Sequence, residues 1–231
     1  MKNLISIIAL LFVVNLSASQ LGGLEMGGVP SSTQNNEAKE YSKLIPYLEN
    51  SGSGEMYFYL GNIYLNGSYE KDIKGEVVEK NTKKAIEWFE KSVEKKFPYA
   101  AATLGSLYLY HNDFIVLENN IELAEKYLLE SIDIEVYEAY TALADINFNY
   151  KGDAKKAVGY LFEGANHNIA TAQYGLAVVY NTGLEHEGFS VEKNEIIAAK
   201  YLTDACMNKK KTEMVRKVCE NSALVTKEKI K

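Results

Sequence analysis

Two hydrophobic motifs alternate along the chain, and each occurs four times. The first motif is L-[GA]-x-x-[YN], whose leucines are Leu60, Leu104, Leu143 and Leu176. The second is A-x-x-[WY]-[FL], whose alanines are Ala85, Ala124, Ala157 and Ala198. In both motifs the spacing places the apolar residues on one face of a helix with about 3.6 residues per turn. Each repeat, of roughly forty residues, is therefore predicted to be a pair of amphipathic helices joined by a loop.

A short polar residue stands four positions before the alanine of each second motif. These residues are Asn81, Asn120, Asp153 and Asn194. Their side-chain oxygens are suited to accept a hydrogen bond from a free N–H at the start of a helix, which predicts four N-caps. The glycine or alanine after the leucine of each first motif removes side-chain bulk, so we expect the two helices of a pair to approach closely there.

One helix pair cannot bury its own apolar faces, so neighbouring pairs must stack. The sequence therefore predicts an all-α fold, an α/α superhelical solenoid of about four helix-pair repeats across residues 37–225. The predicted repeats are residues 55–97, 99–134, 137–168 and 171–208. Capping helices are expected at residues 37–50, ending early at Pro46, and at residues 212–225.

The motifs resemble the Sel1-like repeat, a longer-looped relative of the tetratricopeptide repeat. The resemblance lies in the L-G-x-x-Y pattern, in a loop glycine at Gly67 and Gly183, and in the string Val-Glu-Lys-Asn at residues 78–81 and 191–194. It implies a solenoid that holds another protein or a peptide, and it implies no common catalytic residue.

The second and third repeats depart from this pattern. His111 and Tyr150 replace the loop glycine, and Asn147 replaces the tyrosine. We expect these changes to alter the loops of the two repeats and to leave the helix pairing intact. The longest loops are predicted at residues 67–80 and 182–193, and the shortest at residues 149–152.

The amino-terminal residues have the layout of an export signal. Lys2 precedes an apolar run at residues 4–14, and small residues at Ser17 and Ser19 indicate cleavage before Gln20. The run is too short for a membrane span, which needs about 20 residues. Residues 1–19 are thus predicted to be a signal peptide and residues 20–36 a flexible leader, so that the mature protein is soluble and periplasmic or secreted.

Composition and charge exclude some partners. The chain is 47% hydrophobic and 24% charged, as is usual for a globular protein. Its formal net charge is −6 although residues 209–231 are basic, and an acidic body argues against nucleic-acid binding. The basic end, including the tail 226–231, is interpreted as a solvated terminus, with contact to anionic lipid or cell-wall polymer as the alternative.

The two cysteines, Cys206 and Cys219, lie near the end of the last repeat. On one continuous helix they would be about 19.5 Å apart, beyond the limit of about 7 Å for a disulfide. A chain reversal at residues 208–211 would bring them together, and an even cysteine count in an exported chain favours a bridge. The cysteine-rich secreted branch of the Sel1-like family is similar in linking a second helix to the next first helix. Two buried thiols are the alternative.

Little in the sequence indicates catalysis. His111, His167 and His186 lack metal-ligand spacing, so neither a metal nor a cofactor is predicted, and residues 185–187 are interpreted as a polar loop. The resemblance to the cysteine-rich branch implies β-lactam binding or weak hydrolysis as an alternative, and three S-x-x-K strings begin at Ser68, Ser92 and Ser190. The S-D-N and K-T-G strings that complete a β-lactamase site are missing from the sequence, so we expect the protein not to be an enzyme.

Off-pattern positions of the first helices are the predicted partner-binding residues. They are Tyr59, Asn62, Ser106, Tyr110, Asp145, Asn149 and Tyr174. These side chains are expected to point away from the packing face, and aromatic and amide groups suit peptide capture, with plain surface or further packing as the alternative. The predicted function is an exported scaffold for a protein or peptide partner. The alternatives are a periplasmic immunity or inhibitor protein against a toxin effector, which is a role of some exported Sel1-like proteins, and a β-lactam-binding cell-wall protein.

Overall fold

The computed structural model describes residues 41–67, 78–110 and 120–228. The predicted signal peptide and leader, the start of the first capping helix, His111, Ser68 and the last three residues lie outside this part of the chain. Ten helices are described in it: α1 Tyr41–Asn50, α2 Gly54–Asn66, α3 Thr82–Glu94, α4 Pro98–Tyr110, α5 Ile121–Asp133, α6 Ala139–Asp145, α7 Ala154–Asn166, α8 Ala170–Thr182, α9 Glu195–Met207 and α10 Glu213–Glu228.

The described helices belong to two compact units, which divide between Val136 and Tyr137. In the first unit α1 packs on α2, α2 on α3, α3 on α4 and α4 on α5. In the second unit α6 packs on α7, α7 on α8, α8 on α9, and α10 on both α8 and α9. Within each unit, each helix thus contacts the next one along the chain, which is the pattern of a helix-pair solenoid and confirms the predicted fold class.

The small residues of the first motif lie where the two helices of a pair are closest. A Cβ atom on Gly61 would lie 2.5 Å from the ring of Phe89, and one on Gly105 would lie 2.6 Å from Cγ of Leu128. The motif leucines beside them, Leu60 and Leu104, are fully buried. The predicted close approach of the helices therefore occurs in both repeats, and a side chain larger than hydrogen would collide.

The four predicted N-caps are confirmed. Each side chain accepts a hydrogen bond from a backbone N–H in the first turn: Asn81 from Lys84, Asn120 from Leu123, Asp153 from Lys156, and Asn194 from Ile196 and Ile197. In the first and last repeats the backbone N–H of the cap also donates to the first helix of its pair. Asn81 N donates to Tyr64 O, and Asn194 N donates to Tyr180 O, each at 2.7 Å. This bond closes the base of the loop between the two helices.

Gly67 and Gly183 follow the first helix of the first and last repeats and have the same backbone conformation. Their φ angles are 71° and 74°, in the left-handed region that favours glycine. A Cβ atom would lie 3.1 Å from Val78 O at Gly67 and 3.4 Å from Val191 O at Gly183. The shared Val-Glu-Lys-Asn string thus forms one side of the same loop base in both repeats.

The polar loop expected in the last repeat is a β-hairpin, so that prediction was wrong. Strand β1 Leu184–His186 pairs antiparallel with β2 Phe189–Val191 through a two-residue turn. The turn residues, Glu187 and Gly188, have φ angles of 45° and 82°, as this type of hairpin turn requires. Leu184 is buried and Phe189 and Val191 pack on the core of the second unit, so apolar side chains hold the hairpin down.

The third repeat departs from the others at its predicted position. Helix α6 continues as a π-helical turn, Ile146–Tyr150, with Lys151 N donating to Ile146 O. Asn147 stands at the tyrosine position, is buried, and donates from Nδ2 to Leu143 O at 2.8 Å. The loop base is nevertheless kept, since Asp153 N donates to Asn147 O at 2.8 Å. The helix pairing survives, as expected.

Pro46 does not end the first helix, contrary to the prediction. Helix α1 continues through it to Asn50. Proline lacks the N–H that a helical residue donates, but two contacts of the following turn hold the helix together. Leu48 is buried, and Asn50 Nδ2 donates to Pro46 O at 2.7 Å.

Three of the second helices end in the same turn, which contains no glycine. Lys96, Glu135 and Asn168 have φ angles of 57°, 66° and 60°. In the second repeat, Glu135 N donates to Ile132 O and Val136 N donates to Ser131 O, which is the Schellman pattern. A left-handed conformation costs a residue with a side chain about 1–2 kcal/mol. The turn therefore stores strain at these residues.

We predict that Glu135→Gly stabilises the protein by about 0.5–1 kcal/mol, because glycine adopts this φ without strain. The matched control is Glu122→Gly, at an exposed helical position in the first turn of α5, which should cost about 0.5–1 kcal/mol. Urea unfolding of both variants measures the two changes. Equal destabilisation by both would show that Glu135 is not strained.

A pair of stacked tyrosines joins the helices of the second repeat. Tyr108 and Tyr127 lie with ring centroids 5.9 Å apart and nearly parallel. Burial, with the nearby carboxylate of Glu90, raises the pKa of Tyr127 to about 12, and its hydroxyl donates to that carboxylate. Since Glu90 belongs to α3, this hydrogen bond also connects the second helices of two successive repeats.

We predict that Tyr127 makes stability fall as the pH rises. The folded-state pKa is about 12 and that of an unfolded tyrosine is about 10, so its contribution is complete below pH 10 and is lost as the pH rises through 12. Tyr127→Phe should flatten the loss of unfolding free energy across this window. Tyr47→Phe, at an exposed position of α1, is the control and should keep the original slope. Identical slopes for Tyr127→Phe and the parent protein would contradict the assignment.

Candidate functional site

The predicted partner-binding residues are divided between the two units. Tyr59 and Asn62 on α2, with Ser106 and Tyr110 on α4, belong to the first unit; Asp145, Asn149 and Tyr174 belong to the second. Asn149 Nδ2 donates to Asp145 Oδ1, which joins two of the seven. These two residues are thus in direct contact within the second unit.

Two of the seven residues do not point away from the packing face, so the prediction was wrong for them. Ser106 is 2% exposed and Asp145 is 4% exposed. The reason is that α4 and α6 are covered on nearly all sides: the buried residues run without a break through 100–107 in α4 and 141–145 in α6. Many of these residues are alanine, serine or threonine, whose short side chains do not extend past the neighbouring helices.

Tyr59, Asn62 and Tyr110 are half-buried, and Asn149 is exposed. The Tyr59 hydroxyl donates to Glu55 Oε1 at 3.3 Å, and burial together with this carboxylate raises the pKa of Tyr59. Asn62 Nδ2 donates to Phe58 O at 2.9 Å, within its own helix. These side chains are accessible to a partner, although Tyr59, Asn62 and Asn149 already have local hydrogen bonds.

Tyr174 lines an open groove in the second unit. The groove has a volume of about 340 Å³ and lies between α8, α9 and α10. Its lining residues are Tyr174, Ala177, Val178, Asn181, Thr182, Ala198, Leu202 and Val218. On α8 the spacing of Tyr174, Val178 and Asn181 follows one helix face, so a single face of this first helix forms one side of the groove.

The lining is apolar at its base and polar at its edge. Ala198 and Leu202 supply aliphatic surface, whereas Asn181 and Thr182 are exposed at the end of α8. The Thr182 hydroxyl donates to Val178 O at 3.0 Å. Tyr174 is the titratable member of the lining, and burial raises the pKa of its hydroxyl, which is therefore neutral at physiological pH. The groove is suited to an uncharged, largely apolar group.

Helix α10 is held beside the groove by a disulfide and one buried side chain. Cys206 on α9 and Cys219 on α10 form the disulfide, with Cα atoms 5.7 Å apart. The predicted bridge is therefore present. Val215 is fully buried and packs with Ala170, Ala205 and the half-buried Tyr174.

The chain reversal that the bridge requires is also present, between the end of α9 at Met207 and the start of α10 at Glu213. Asn208 lies in this turn and is buried; its Nδ2 donates to the backbone oxygen of Asn168 at 2.6 Å. The amide thus ties the turn to the end of α7, and with it the start of α10.

Tyr174 was predicted from the sequence, whereas the other lining residues of the groove were not. A comparison of the second motif between repeats shows where Leu202 differs from its counterparts. Leu202 corresponds to Phe89, Leu128 and Leu161, which are fully or almost fully buried, whereas Leu202 is half-buried. Leu202 lines the open groove together with Val218 of α10, so this aliphatic motif residue is left partly uncovered.

Two of the three S-x-x-K serines, Ser92 and Ser190, lie in the described residues, and their neighbours indicate structural roles. Ser92 is fully buried and its hydroxyl donates to Gly54 O at 2.6 Å, so the atom is occupied in joining α3 to α2. Ser190 is exposed on β2, and Lys193 forms an ion pair with Glu195 at 2.8 Å. Neither arrangement resembles a serine activated for acylation.

The histidines in the described residues are packed against aromatic rings. His167 stacks on Tyr137 with centroids 3.6 Å apart, and His186 lies 6.4 Å from the ring of Phe148. Within the described ranges, no three histidine, cysteine or acidic side chains are grouped as metal ligands would be. The same ranges contain no helix with the length and apolar character of a membrane span.

The chain belongs to the Sel1 repeat family. The family model for the Sel1 repeat matches residues 54–97, 98–133 and 170–209, which together are more than half of the chain. Its matches leave out the third helix pair, where Asn147 and the π-helical turn depart from the pattern. This confirms the resemblance inferred from the motifs.

Solved structures with the same fold include two Sel1-type proteins. A Sel1 repeat protein from Oxalobacter formigenes is 21% identical, with a TM-score of 0.59 over 77% of this chain and 64% of its own. The protein c5321, a protective antigen present in uropathogenic Escherichia coli strains, is 24% identical, with a TM-score of 0.56 over 75% of this chain and 34% of its own. This chain thus spans about a third of the length of c5321 and just under two thirds of the other.

A third similar structure is the immunity protein Pa5087 from Pseudomonas aeruginosa. It is 16% identical, with a TM-score of 0.47 over 83% of this chain and 64% of its own. No curated protein matches the chain.

Proposed function

We propose that this Sel1 repeat protein is an exported scaffold whose groove between α8, α9 and α10 binds a segment of another protein. The observation that carries the proposal is the groove itself: it is open, has a volume of about 340 Å³ and is lined mostly by aliphatic side chains, with an amide and a hydroxyl at its edge. An interface of this kind gains binding energy from apolar burial and specificity from a few hydrogen bonds.

Two features support export. Residues 1–19 have the charge and apolar pattern of a signal peptide. The Cys206–Cys219 disulfide is typical of proteins in an oxidising compartment, such as a periplasm or the extracellular space. The partner is accordingly expected in that compartment.

The groove chemistry favours binding over catalysis. Its lining provides alkyl groups, one amide, one hydroxyl and one tyrosine that stays neutral, and this set offers no acid–base pair for general catalysis. Tyr59, Asn62 and Tyr110 in the first unit, and Asn149 in the second, are proposed as further contact positions, because each retains some exposure.

The test is site-specific photocrosslinking in the cells that produce the protein. The photoreactive residue p-benzoylphenylalanine replaces Thr182 at the groove edge or, in the control, the exposed Lys155 on α7. We predict a discrete protein adduct from position 182 and none from position 155, with the crosslinked protein identified by mass spectrometry. A toxin effector as the crosslinked protein would assign the inhibitor role.

A charge at the groove edge should strongly reduce the yield of the adduct. Asn181→Arg, at an exposed lining position, is expected to lower the yield about tenfold, because an uncompensated charge opposes an apolar partner. Asn166→Arg, at the exposed end of α7, is the matched control and should leave the yield unchanged. Equal adducts from positions 182 and 155, or a yield insensitive to Asn181→Arg, would contradict the proposal. Stoichiometric labelling by a fluorescent penicillin without a protein adduct would favour the β-lactam alternative.

A further inference from the structure

We infer that the Cys206–Cys219 disulfide is a redox-sensitive clamp: reduction by a dithiol frees α10 and removes one side of the groove. The inference concerns α10 itself, and its consequence for partner binding rests on the proposed function. Three observations carry it, namely how little of α10 is buried, where its ion pairs lie, and where Cys219 stands relative to the groove.

Helix α10 is anchored by a small apolar contact. Among its described side chains, at residues 213–221, Val215 is the buried one, whereas Met214, Val218 and Cys219 are half-buried. By contrast, α8 buries seven residues, and removing any single contact leaves most of its packing intact. A helical segment with so few buried side chains, here residues 213–221, has a low free energy of local opening.

The ion pairs described on α10 stabilise the helix itself and do not hold it against α8 and α9. Arg216 pairs with Glu213 and, at 4.0 Å, with Glu220, and Lys217 pairs with Glu213 at 3.7 Å. All of these residues are on α10. They favour helical structure in this segment whether or not it lies against α8 and α9.

Cys219 lies beside the groove, so a crosslink at this residue holds one side of the groove in place. It comes directly after Val218, which lines the groove, and it is one helical turn beyond the anchor Val215. Both cysteines are half-buried, which leaves part of each residue open to a dithiol. The covalent bond and Val215 are thus adjacent attachments, and loss of the bond removes one of the few attachments found at residues 213–221.

The chemical step is thiol–disulfide exchange. One thiolate of the dithiol attacks Cys206 or Cys219 Sγ, the S–S bond breaks, and a mixed disulfide forms. The second thiol of the reductant then displaces the protein sulfur. The dithiol is oxidised to its disulfide, and the protein gains two electrons and two protons as two thiols. Dithiothreitol or a protein dithiol can act as the reductant.

The test is hydrogen exchange of the full mature chain before and after treatment with dithiothreitol, with the thiols counted by a colorimetric reagent. On reduction, the amides at residues 213–221 should exchange about 100-fold faster, while those of α8 keep their protection. The double variant Cys206→Ser/Cys219→Ser should show the fast exchange without reductant and no response to it. Unchanged protection of α10 with two free thiols, or equal loss of protection in α8, would overturn the inference. A disulfide that stays intact in excess dithiothreitol would do so too.

A second variant separates the disulfide from the apolar anchor. Val215→Ala keeps both cysteines, and in the oxidised protein it should speed the exchange of α10 far less than reduction does. Exchange as fast as that of the reduced protein would show that Val215, and not the disulfide, is the clamp. These measurements need no partner. Release of α10 combined with an unchanged crosslink from position 182 would therefore leave the clamp standing and reject the groove as the binding site.

Discussion

The contact of a helix backbone with a bulky side chain across a glycine determines how the helix pairs of the first two repeats pack. At Gly61 the ring of Phe89 occupies the space of a missing Cβ atom, and at Gly105 the side chain of Leu128 does so. The bulky partner is then completely buried. Because dispersion contacts weaken steeply with distance, this close approach gives the helix pair much of its packing energy and fixes its register.

The remaining features of a repeat depend on that fixed pair. The two helices can be joined by a loop of any content, provided that its base is closed by the same bonds. Asn81 and Asn194 cap the second helix with their side chains and bind the first helix with their backbone N–H groups. The last repeat therefore accommodates a β-hairpin above this base, and its apolar strand residues extend the core of the second unit. Variation in such loops is a way to change a surface without changing the scaffold.

Periodicity in the sequence predicted the features that depend on neighbouring residues: the helix pairs, their N-caps and the deviation at Asn147. The disulfide was also predictable, because chain reversal after α9 places the cysteines face to face. Burial of Ser106 and Asp145 was missed, because it depends on which helices surround α4 and α6, and one helix pattern does not contain that information. The left-handed turn at Glu135 was also missed, since glycine is the usual signal for it and glutamate stands there.

The groove was only partly predictable, for a similar reason. Tyr174 is identifiable from its residue type, whereas Leu202 belongs to the repeated second motif, whose apolar residues are expected to pack; its counterparts in the other repeats are buried. Leu202 is partly exposed because it lines the open groove beside α10, a helix held at residues 213–221 by Val215 and a disulfide. A site of this kind arises from a difference between one repeat and the others, and the consensus pattern of the repeats does not contain that difference.

The most direct test of the glycine contact compares two helical glycines. A Cβ atom at Gly105 would lie 2.6 Å from Leu128 and 3.0 Å from Ala124 O, whereas one at the exposed Gly159 in α7 would have nothing within 4 Å. Gly159→Ala should stabilise the protein by about 1 kcal/mol through helix propensity. Gly105→Ala should destabilise it by about 1–3 kcal/mol, because the collision outweighs the same gain. Urea unfolding of the two variants decides the matter: opposite signs are predicted, and stabilisation by both would contradict the account.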